Sequence, residues 1–374
     1  MSGAIYPAAG PQLLRAWCEI DLTAVQANAR ALRQRAGVPL VPMVKADAYG
    51  AGAKAVAQAL GALAETEPAH APWGFGVATT AEALALRAAG VTGRVLCTSP
   101  MLAEELPVLA EARITPALHE PRQIVAWRTL TNAPWHLALD TGMARAGLDW
   151  RQVERVTEAV AAHPPEGVFT HYHSADLADG SREQQDARFR DALASLPLPS
   201  DVLRHADNSA ALGARPGTPW DLARPGLALY GGPVAGFTPA PVVHVHARIV
   251  DVHELAVGDT VSYGATFTAT RPTRLATVPV GYGDGYRRAL APRAEALLHG
   301  QRVPVRGVIT MDFTMFDITD VGGEVGDVIT LLGTAPDGRH ALTLAELADR
   351  GALSPYELLV GWRLRLPRVY RTAS

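Results

Sequence analysis

The sequence predicts an α/β protein built as a (β/α)8 TIM barrel with a β-rich C-terminal domain. Three observations carry that reading. Short β-branched or apolar runs alternate with Ala/Leu-rich helical patterns eight times over about 200 residues. Beyond Pro241 the alternation stops, and strand-like runs follow one another with Gly and Asp in the breaks. The length of 374 residues exceeds one typical core and suits two domains.

The eight runs are, in order, "LVPMV" (40–44), "WGFGVA" (73–78), "RVLCT" (94–98), "ITPAL" (114–118), "WHLALD" (135–140), "GVFTHY" (167–172), "VLRHA" (202–206) and "LARPGLALY" (222–230). Helical segments separate them. In "TTAEALALRAAG", for example, Thr79 and Glu82 form a capping box and Gly90 supplies the residue past the C-cap. A doubly wound open sheet uses the same alternation, because periodicity does not show closure. The Gly/Pro-rich "GGPVAGFTPAP", residues 231–241, contains the boundary, giving a barrel domain over 12–235 and a β-rich domain over 236–374. The later strand-like runs include "HVHARIVDVHEL", "DTVSYGATFTA", "RLATVPVGYGDGY", "RVPVRGVITMDFTMFDIT" and "DVITLLG". One helix, "TLAELADRG", is opened there by Thr343 and Glu346. Residues 12–21, "QLLRAWCEID", precede the first helical pattern and can pair with the second domain.

Composition excludes several classes of function. A net charge of -3 and a pI near 6.5, without a basic stripe interleaved with aromatics, argue against a nucleic-acid partner. With 48% hydrophobic and 19% charged residues and no apolar run of ~18, the chain reads as globular, without a membrane span. Cys18 and Cys97 are too few for a disulfide framework or a metal cluster, and their apolar neighbours mark them as buried structural thiols. The N-terminal stretch lacks the basic and apolar regions of a signal peptide, so the cytoplasm is the expected compartment.

Of 34 basic residues only Lys45 and Lys54 are lysines. Lys45 follows Val41, Met43 and Val44 at the end of the first run. It is either a residual surface lysine in an arginine-biased chain or an amine kept for a Schiff base, which arginine cannot make. In a barrel the active site lies at the carboxyl ends of the strands. There Lys45 ends run one, Arg145 follows run five, His171 ends run six, His205 and Ser209 follow run seven, and Arg224 with Gly226 closes run eight. The loops after strands seven and eight commonly hold phosphate. "DNSAALGA" opens a short helix with Asn208 and Ser209 at its cap, and "RPGL" offers the amides of Gly226 and Leu227; Ser209 by itself reads as a helix cap, and only together with Lys45 as a phosphate ligand.

A lysine, a phosphate cradle and an apolar floor at one barrel mouth point to pyridoxal 5'-phosphate. Desolvation would lower the Lys45 pKa, freeing the amine as nucleophile and base. Arg224 would face the pyridine nitrogen as a cation that never gives up its proton, which weakens the electron sink and favours reaction at Cα over transamination.

"VKADAYG", "LDTGMARAG", "HADNSAA", "RPGLALYG", "VSYGATF", "VGYGDGYRR", "ITMDF" and "SPYELLVGW" together resemble the motifs of the alanine racemase family, fold-type III pyridoxal-phosphate enzymes. The resemblance runs through essentially the whole chain in order, and "VSYGATF" followed by "ITMDF" separates racemases from related barrels. It implies Lys45 as aldimine lysine and base for the D-enantiomer. It implies Tyr263 as the opposed base for the L-enantiomer, reaching the barrel of the other subunit of a head-to-tail homodimer. Tyr49, Ser209, Gly226, Leu227 and Tyr356 would hold the phosphate and Arg224 the ring nitrogen, with His205 also on the cofactor side. Arg145 and Met311 would contact the substrate carboxylate, and His171 would lie between Arg224 and Tyr263. D-alanine for peptidoglycan would be the product.

The chain departs from the family pattern in places. Many members carry a carbamylated lysine at the position of Ala138, which steadies the substrate-binding arginine; Ala138 has no amine, so Arg145 needs another orienting partner, such as an anion. Asp207 replaces a small neutral residue beside the phosphate cap and would repel phosphate unless it points away or pairs with an arginine. Asp47, where asparagine is common, is a milder change. Other readings remain at this stage. His171 and His173 form an H-x-H that, with His205 and Asp207, could serve a metal-dependent hydrolase. A non-catalytic cofactor carrier would lack the second domain, and a decarboxylase of the same fold would need a cysteine there. "GYGDGY" lacks dinucleotide-loop spacing, so Tyr282 and Tyr286 read as packing or entrance residues. Tyr356 and Met311 would narrow the pocket toward alanine, yet serine and broad-specificity racemases share these motifs.

Overall fold

The computed structural model describes residues 13–362 and 365–372. Gln12, the first residue of the expected N-terminal segment, lies outside them. The chain forms two compact units, one comprising Gln26–Leu229 with Val234–Thr238, the other the remaining N-terminal part through Val25, Tyr230–Pro233 and Pro239 onward.

In the first of these units, six strands pair in parallel in chain order: Phe75–Val77, Val95–Cys97, Thr115–Leu118, His136–Asp140, Gly167–Phe169 and Leu203–His205. Residues 40–43 and 222–223 complete the circuit through the parallel bridges Met43↔Gly76, Leu40↔Ala223 and His205↔Leu222. Val41 N–H donates to Ala223 O at 2.8 Å and Gly76 N–H to Pro42 O at 2.9 Å. The eight strands therefore close into the (β/α)8 barrel, and the open-sheet alternative is set aside. The first strand joins by single bridges because Pro42 has no N–H for a continuous ladder. Strands Phe75–Val77, Val95–Cys97 and Thr115–Leu118 are buried at every position, the signature of parallel strands covered on both faces. That is why their runs read as continuous apolar stretches rather than alternating ones. The expected sixth and eighth runs are shortened: Gly167–Phe169 stops before His171, and Leu227–Tyr230 is a 3-10 turn after Pro225. Thr79 and Glu82 do close a capping box on the helix Thr80–Ala88, and Gly90 adopts φ 87 beyond its end.

The other unit is mainly antiparallel sheet. Strand Ala16–Asp21 pairs antiparallel with Val243–Arg248 and parallel with Arg368–Arg371. Val328–Thr334, Glu295–Leu298 and Gln301–Pro304 extend the same sheet. Asp251–Leu255, Thr273–Val278 and Thr314–Asp317 make a second, three-stranded sheet. Among the described residues after Pro241 there are two α-helices rather than the one expected, Leu344–Gly351 and Pro355–Gly361. The second spans 7 residues, too few to display a period, although Ser354, Pro355 and Glu357 give it a complete start signal.

Cys18 and Cys97 are free and buried, and burial pushes both thiols up to about 12, which suits structural rather than reactive cysteines. Among the described residues no helix is long and apolar enough to cross a membrane.

Candidate active site

Lys45 stands where the first barrel strand ends, and the backbone then turns left-handed. Ala46, Asp47, Ala48 and Tyr49 have φ values of 52, 53, 54 and 56. An L-residue in this region costs roughly 1–2 kcal/mol, so the turn needs external support. Part of it comes from Asp47, whose Oδ1 accepts from Ala53 N–H at 2.8 Å and whose carbonyl accepts from Gly52 N–H at 2.8 Å. The turn carries Tyr49 inward, where it is buried. Burial holds the Lys45 pKa below its ordinary value, Arg145 and Arg224 act in the same sense, and Glu82 opposes them.

Tyr49, Ser209, Gly226 and Leu227 converge. Ser209 is buried, and its Oγ accepts from the N–H groups of Gly226 at 2.9 Å and Ala228 at 3.2 Å. The cap of the helix Ser209–Ala214 is Asn208, whose Oδ1 accepts from Ala211 N–H at 3.0 Å. The reading of Ser209 as a cap alone is therefore corrected: Asn208 does that work, and Ser209 faces the other loop. A Cβ on Gly226 would lie 2.2 Å from the Tyr49 hydroxyl, so glycine is required for this approach.

Arg224 is buried and surrounded by acceptors. Nη1 donates to His205 Nδ1 at 2.6 Å and to His205 O at 2.8 Å; Nη2 donates to Thr170 O at 2.6 Å and to Ala206 O at 3.3 Å. The ring of Phe169 lies 5.0 Å from the guanidinium carbon. Burial lowers Arg224 to about 10, still well charged at neutral pH. His205 continues inward to His136, with Nε2 and Nδ1 2.8 Å apart. Burial, then Arg224, hold His205 well below its ordinary range.

His171 lies past its strand, beside Arg145 and Ala138, on the wall of an open cleft that Phe169 and Thr98 also line. Burial, then Arg224, Arg145 and Lys45, push it down to about 3, so its imidazole is neutral at physiological pH. Arg145 is exposed at this wall. Ala138 packs against Ala117 and Phe169 and offers Arg145 no anion. Asp207 is fully buried and its Oδ1 meets Arg215 Nη2 at 3.1 Å, while Arg215 Nη1 meets Asp186 Oδ2 at 3.2 Å. The arginine partner that Asp207 required is thus Arg215.

The proposed metal ligands do not assemble: His205 bonds Arg224, Asp207 bonds Arg215, and His173 Nδ1 bonds Ser174 Oγ at 2.7 Å. Sequence reasoning missed His136 and Arg215, and took Glu82 only as a cap.

In the β-rich unit, Tyr263 sits on a 3-10 turn flanked by Ser262 at φ 65 and Ala265 at φ 47. It is 75% exposed, and Met311 and Tyr356 are 52% and 46% exposed. "GYGDGY" folds against "ITMDF": Tyr282 N–H donates to Thr310 O at 3.0 Å and Gly283 N–H to Met311 O at 2.9 Å. Arg365 joins Asp284 and Asp312. Tyr286 is fully buried packing, whereas Tyr282 is exposed.

Comparison with known proteins agrees across the chain. Residues 20–233 match the family model of the alanine racemase N-terminal domain, and residues 242–370 that of the C-terminal domain. The alanine racemase of Symbiobacterium thermophilum is 38% identical over 377 residues, covering 95% of this chain and 96% of the relative. That of Nostoc sp. is 36% identical over 386 residues, covering 95% of each. Among solved structures, alanine racemase from D-cycloserine-producing Streptomyces lavendulae superposes with a TM-score of 0.88 at 33% identity, over 98% of this chain and 99% of that one. Alanine racemase from Bartonella henselae with covalently bound pyridoxal phosphate gives a TM-score of 0.83 at 30% identity, over 96% of this chain and 100% of that one. With both domain models matched in order and relatives aligned nearly end to end, the chain belongs to the alanine racemase family.

Proposed function

We propose that this chain interconverts L- and D-alanine as a pyridoxal-phosphate enzyme, with the cofactor on the barrel domain, residues 12–235, and one catalytic base on the β-rich domain, residues 236–374. The observation that carries the reading is the Tyr49–Ser209–Gly226 cradle, open only because Gly226 lacks a Cβ, on the same barrel as Lys45 and the buried Arg224. These residues fit the cofactor. Tyr49, Ser209 and the amides of Gly226 and Leu227 would hold its phosphate, together with Tyr356, and Arg224 would meet its ring nitrogen. Pyridoxal phosphate supplies, when bound, an aldehyde for the amine and an electron sink that acidifies the substrate Cα–H.

The residues divide the remaining work. A neutral amine is required of Lys45, and burial beside Arg145 and Arg224 favours that form. Lys45 then exchanges the proton at Cα of the D-enantiomer. Arg224 is held by four hydrogen bonds and keeps its proton, so the ring nitrogen is not protonated from this side. Arg145 and Met311 would receive the substrate carboxylate. Tyr263, exposed on its turn, would exchange the Cα proton of the L-enantiomer in the partner subunit of a homodimer. His171, neutral among cations, would mediate between Arg224 and that tyrosine. Such acid–base groups supply roughly 10²–10⁴-fold each. The product would serve peptidoglycan synthesis in the cytoplasm.

Borohydride reduction, digestion and peptide mapping test the assignment: the cofactor mass should appear on Lys45, and L-alanine should yield D-alanine without added metal. Label elsewhere, or none, would refute it. The alternative reading, a serine or broad-specificity racemase sharing the same motifs, is separated by a turnover screen over small L-amino acids.

A further inference from the structure

Glu82 closes the capping box of the Thr80–Ala88 helix: its Oε2 accepts from Ala78 N–H at 2.8 Å and Thr79 N–H at 3.2 Å. A capping glutamate ordinarily finishes its hydrogen bonding at its own helix end. Here the other oxygen, Oε1, accepts from the backbone N–H of Ala46 at 2.7 Å, 36 residues away in sequence. That amide belongs to the peptide leaving Lys45, and it opens the run of four left-handed residues from Ala46 to Tyr49. The turn is strained for L-residues, so it persists only where neighbours hold it. Asp47 fastens its far side to Ala53; Glu82 fastens its near side to a different helix.

We propose that Glu82 is a positioning residue for Lys45, clamping the amide that follows the lysine to the start of the Thr80–Ala88 helix and presenting a carboxylate to the lysine amine. The proposal rests on Lys45 being the reacting amine. The charged groups acting on Lys45 are Arg145 from the loop after the fifth strand, Arg224 after the eighth and Glu82 from this helix; His171 faces the same group in its neutral form. Glu82 is thus the negative charge set against two guanidiniums. The same carboxylate bonds its own helix end through Oε2 and the Ala46 amide through Oε1, so the cap and the clamp support each other. Without the clamp, the left-handed turn loses its first anchor, and both Lys45 and Tyr49 lose a fixed origin.

The composition supplies a clean test. Because Lys45 and Lys54 are the only lysines, lysine labelled with ¹³C at Cε gives two resonances, with exposed Lys54 as internal reference. The full-length chain, freed of cofactor, is titrated unsubstituted, as Glu82→Gln and as Thr79→Ala. Thr79→Ala weakens the same helix end but leaves the contact from Glu82 to Ala46. Glu82→Gln should lower the Lys45 midpoint, since it removes the charge that favours ammonium while both arginines remain; Lys54 should not move. Thr79→Ala should leave both midpoints in place. An unchanged Lys45 midpoint in Glu82→Gln, or an equal shift in Thr79→Ala, overturns the proposal. Should Glu82→Gln fail to fold, hydrogen exchange in the unsubstituted chain decides: the Ala46 amide should exchange at least about tenfold slower than an unbonded amide, and free exchange overturns the clamp. Adding pyridoxal phosphate to the labelled chain tests the underlying reading separately, because the Lys45 resonance should leave the free-amine position and Lys54 should not.

Discussion

The guanidinium of Arg224 and the imidazole of His205 share a buried hydrogen bond of 2.6 Å from Nη1 to Nδ1. Since arginine is only a donor, His205 must present a lone pair at Nδ1 and carry its proton on Nε2. That proton points at His136 Nδ1, which makes His136 carry its own on Nε2, 3.6 Å from Glu166 Oε2. One arrangement of protons is thereby written through the barrel interior, from a site arginine to a carboxylate. Burial raises Glu166, but His136 and Arg94 outweigh it, and the carboxyl stays ionised as the terminus of the chain.

This arrangement makes the fold sensitive to mild acid. His136, His171 and His205 are all depressed in the folded chain, first by burial. In the unfolded chain each binds a proton near pH 6.5, so the unfolded state holds more protons below that pH and stability falls as pH drops. Urea midpoints should be flat above about pH 7 and decline between about pH 6.5 and 5.5, before carboxylates begin to titrate. A midpoint constant across that window would contradict the neutral-histidine assignment.

If Tyr49, Ser209 and Gly226 hold the phosphate as proposed, Gly226→Ala should block that cradle while leaving the fold intact. The added methyl would lie 2.2 Å from the Tyr49 hydroxyl, and tyrosine has few soft torsions with which to retreat. Cofactor affinity, read by quenching of protein fluorescence, should fall at least about tenfold, the equivalent of one lost hydrogen bond to a charged group. Tyr49→Phe, which keeps the ring and removes the hydroxyl, should lose less.

Arg215 serves two carboxylates, Asp186 and Asp207, and Asp186 also accepts from the Tyr172 hydroxyl. Burial raises Asp207, with Arg215 opposing, so the pair depends on the arginine. Arg215→Met should destabilise the chain by about 3–5 kcal/mol, the usual cost of orphaning a buried charge. The loss should be largest at high pH, where Asp207 must ionise without a partner, and smaller as pH falls and the carboxyl takes up a proton. Denaturant unfolding at two pH values checks both size and direction.

How much of this the residues announce beforehand varies with the physics involved. The eight strands are readable because buried parallel strands are short apolar runs, but the closing bridges of Leu40 with Ala223 and Met43 with Gly76 leave no periodic trace. Lys45 stands out because the chain otherwise uses arginine. His136 does not, since a histidine inside "WHLALD" looks like any strand residue until the partner from "VLRHA" is brought beside it. Asp207 and Arg215 are 8 residues apart, which would hold them about 12 Å apart along a helix and about 26 Å apart along a strand, so only the folded loop reveals their pairing. Glu82 was visible as a cap, and the distant amide of Ala46 was not. Tyr263 carries no local signal at all: on an exposed turn it belongs to no face, and only the resemblance of "VSYGATF" to a family motif singles it out.

The role of Tyr263 is the sharpest consequence of the two-base reading. Tyr263→Phe keeps the ring and removes only the hydroxyl, so the fold of the single chain, on which Tyr263 is 75% exposed, should be retained. Exchange of the Cα proton with solvent should nonetheless fall by roughly 10²–10⁴-fold from L-alanine, and by less from D-alanine, which Lys45 would serve under this proposal. Equal loss from both enantiomers would argue against opposed bases. Mixing tests where the tyrosine acts. Lys45→Ala and Tyr263→Phe are each inactive in one base, and in a mixed dimer with shared sites one site collects both substitutions while the other collects neither. Activity should therefore reappear when the two inactive proteins are unfolded together and refolded. If Lys45 and Tyr263 met within a single chain, every site would keep one defect, and the mixture would stay as inactive as its parents.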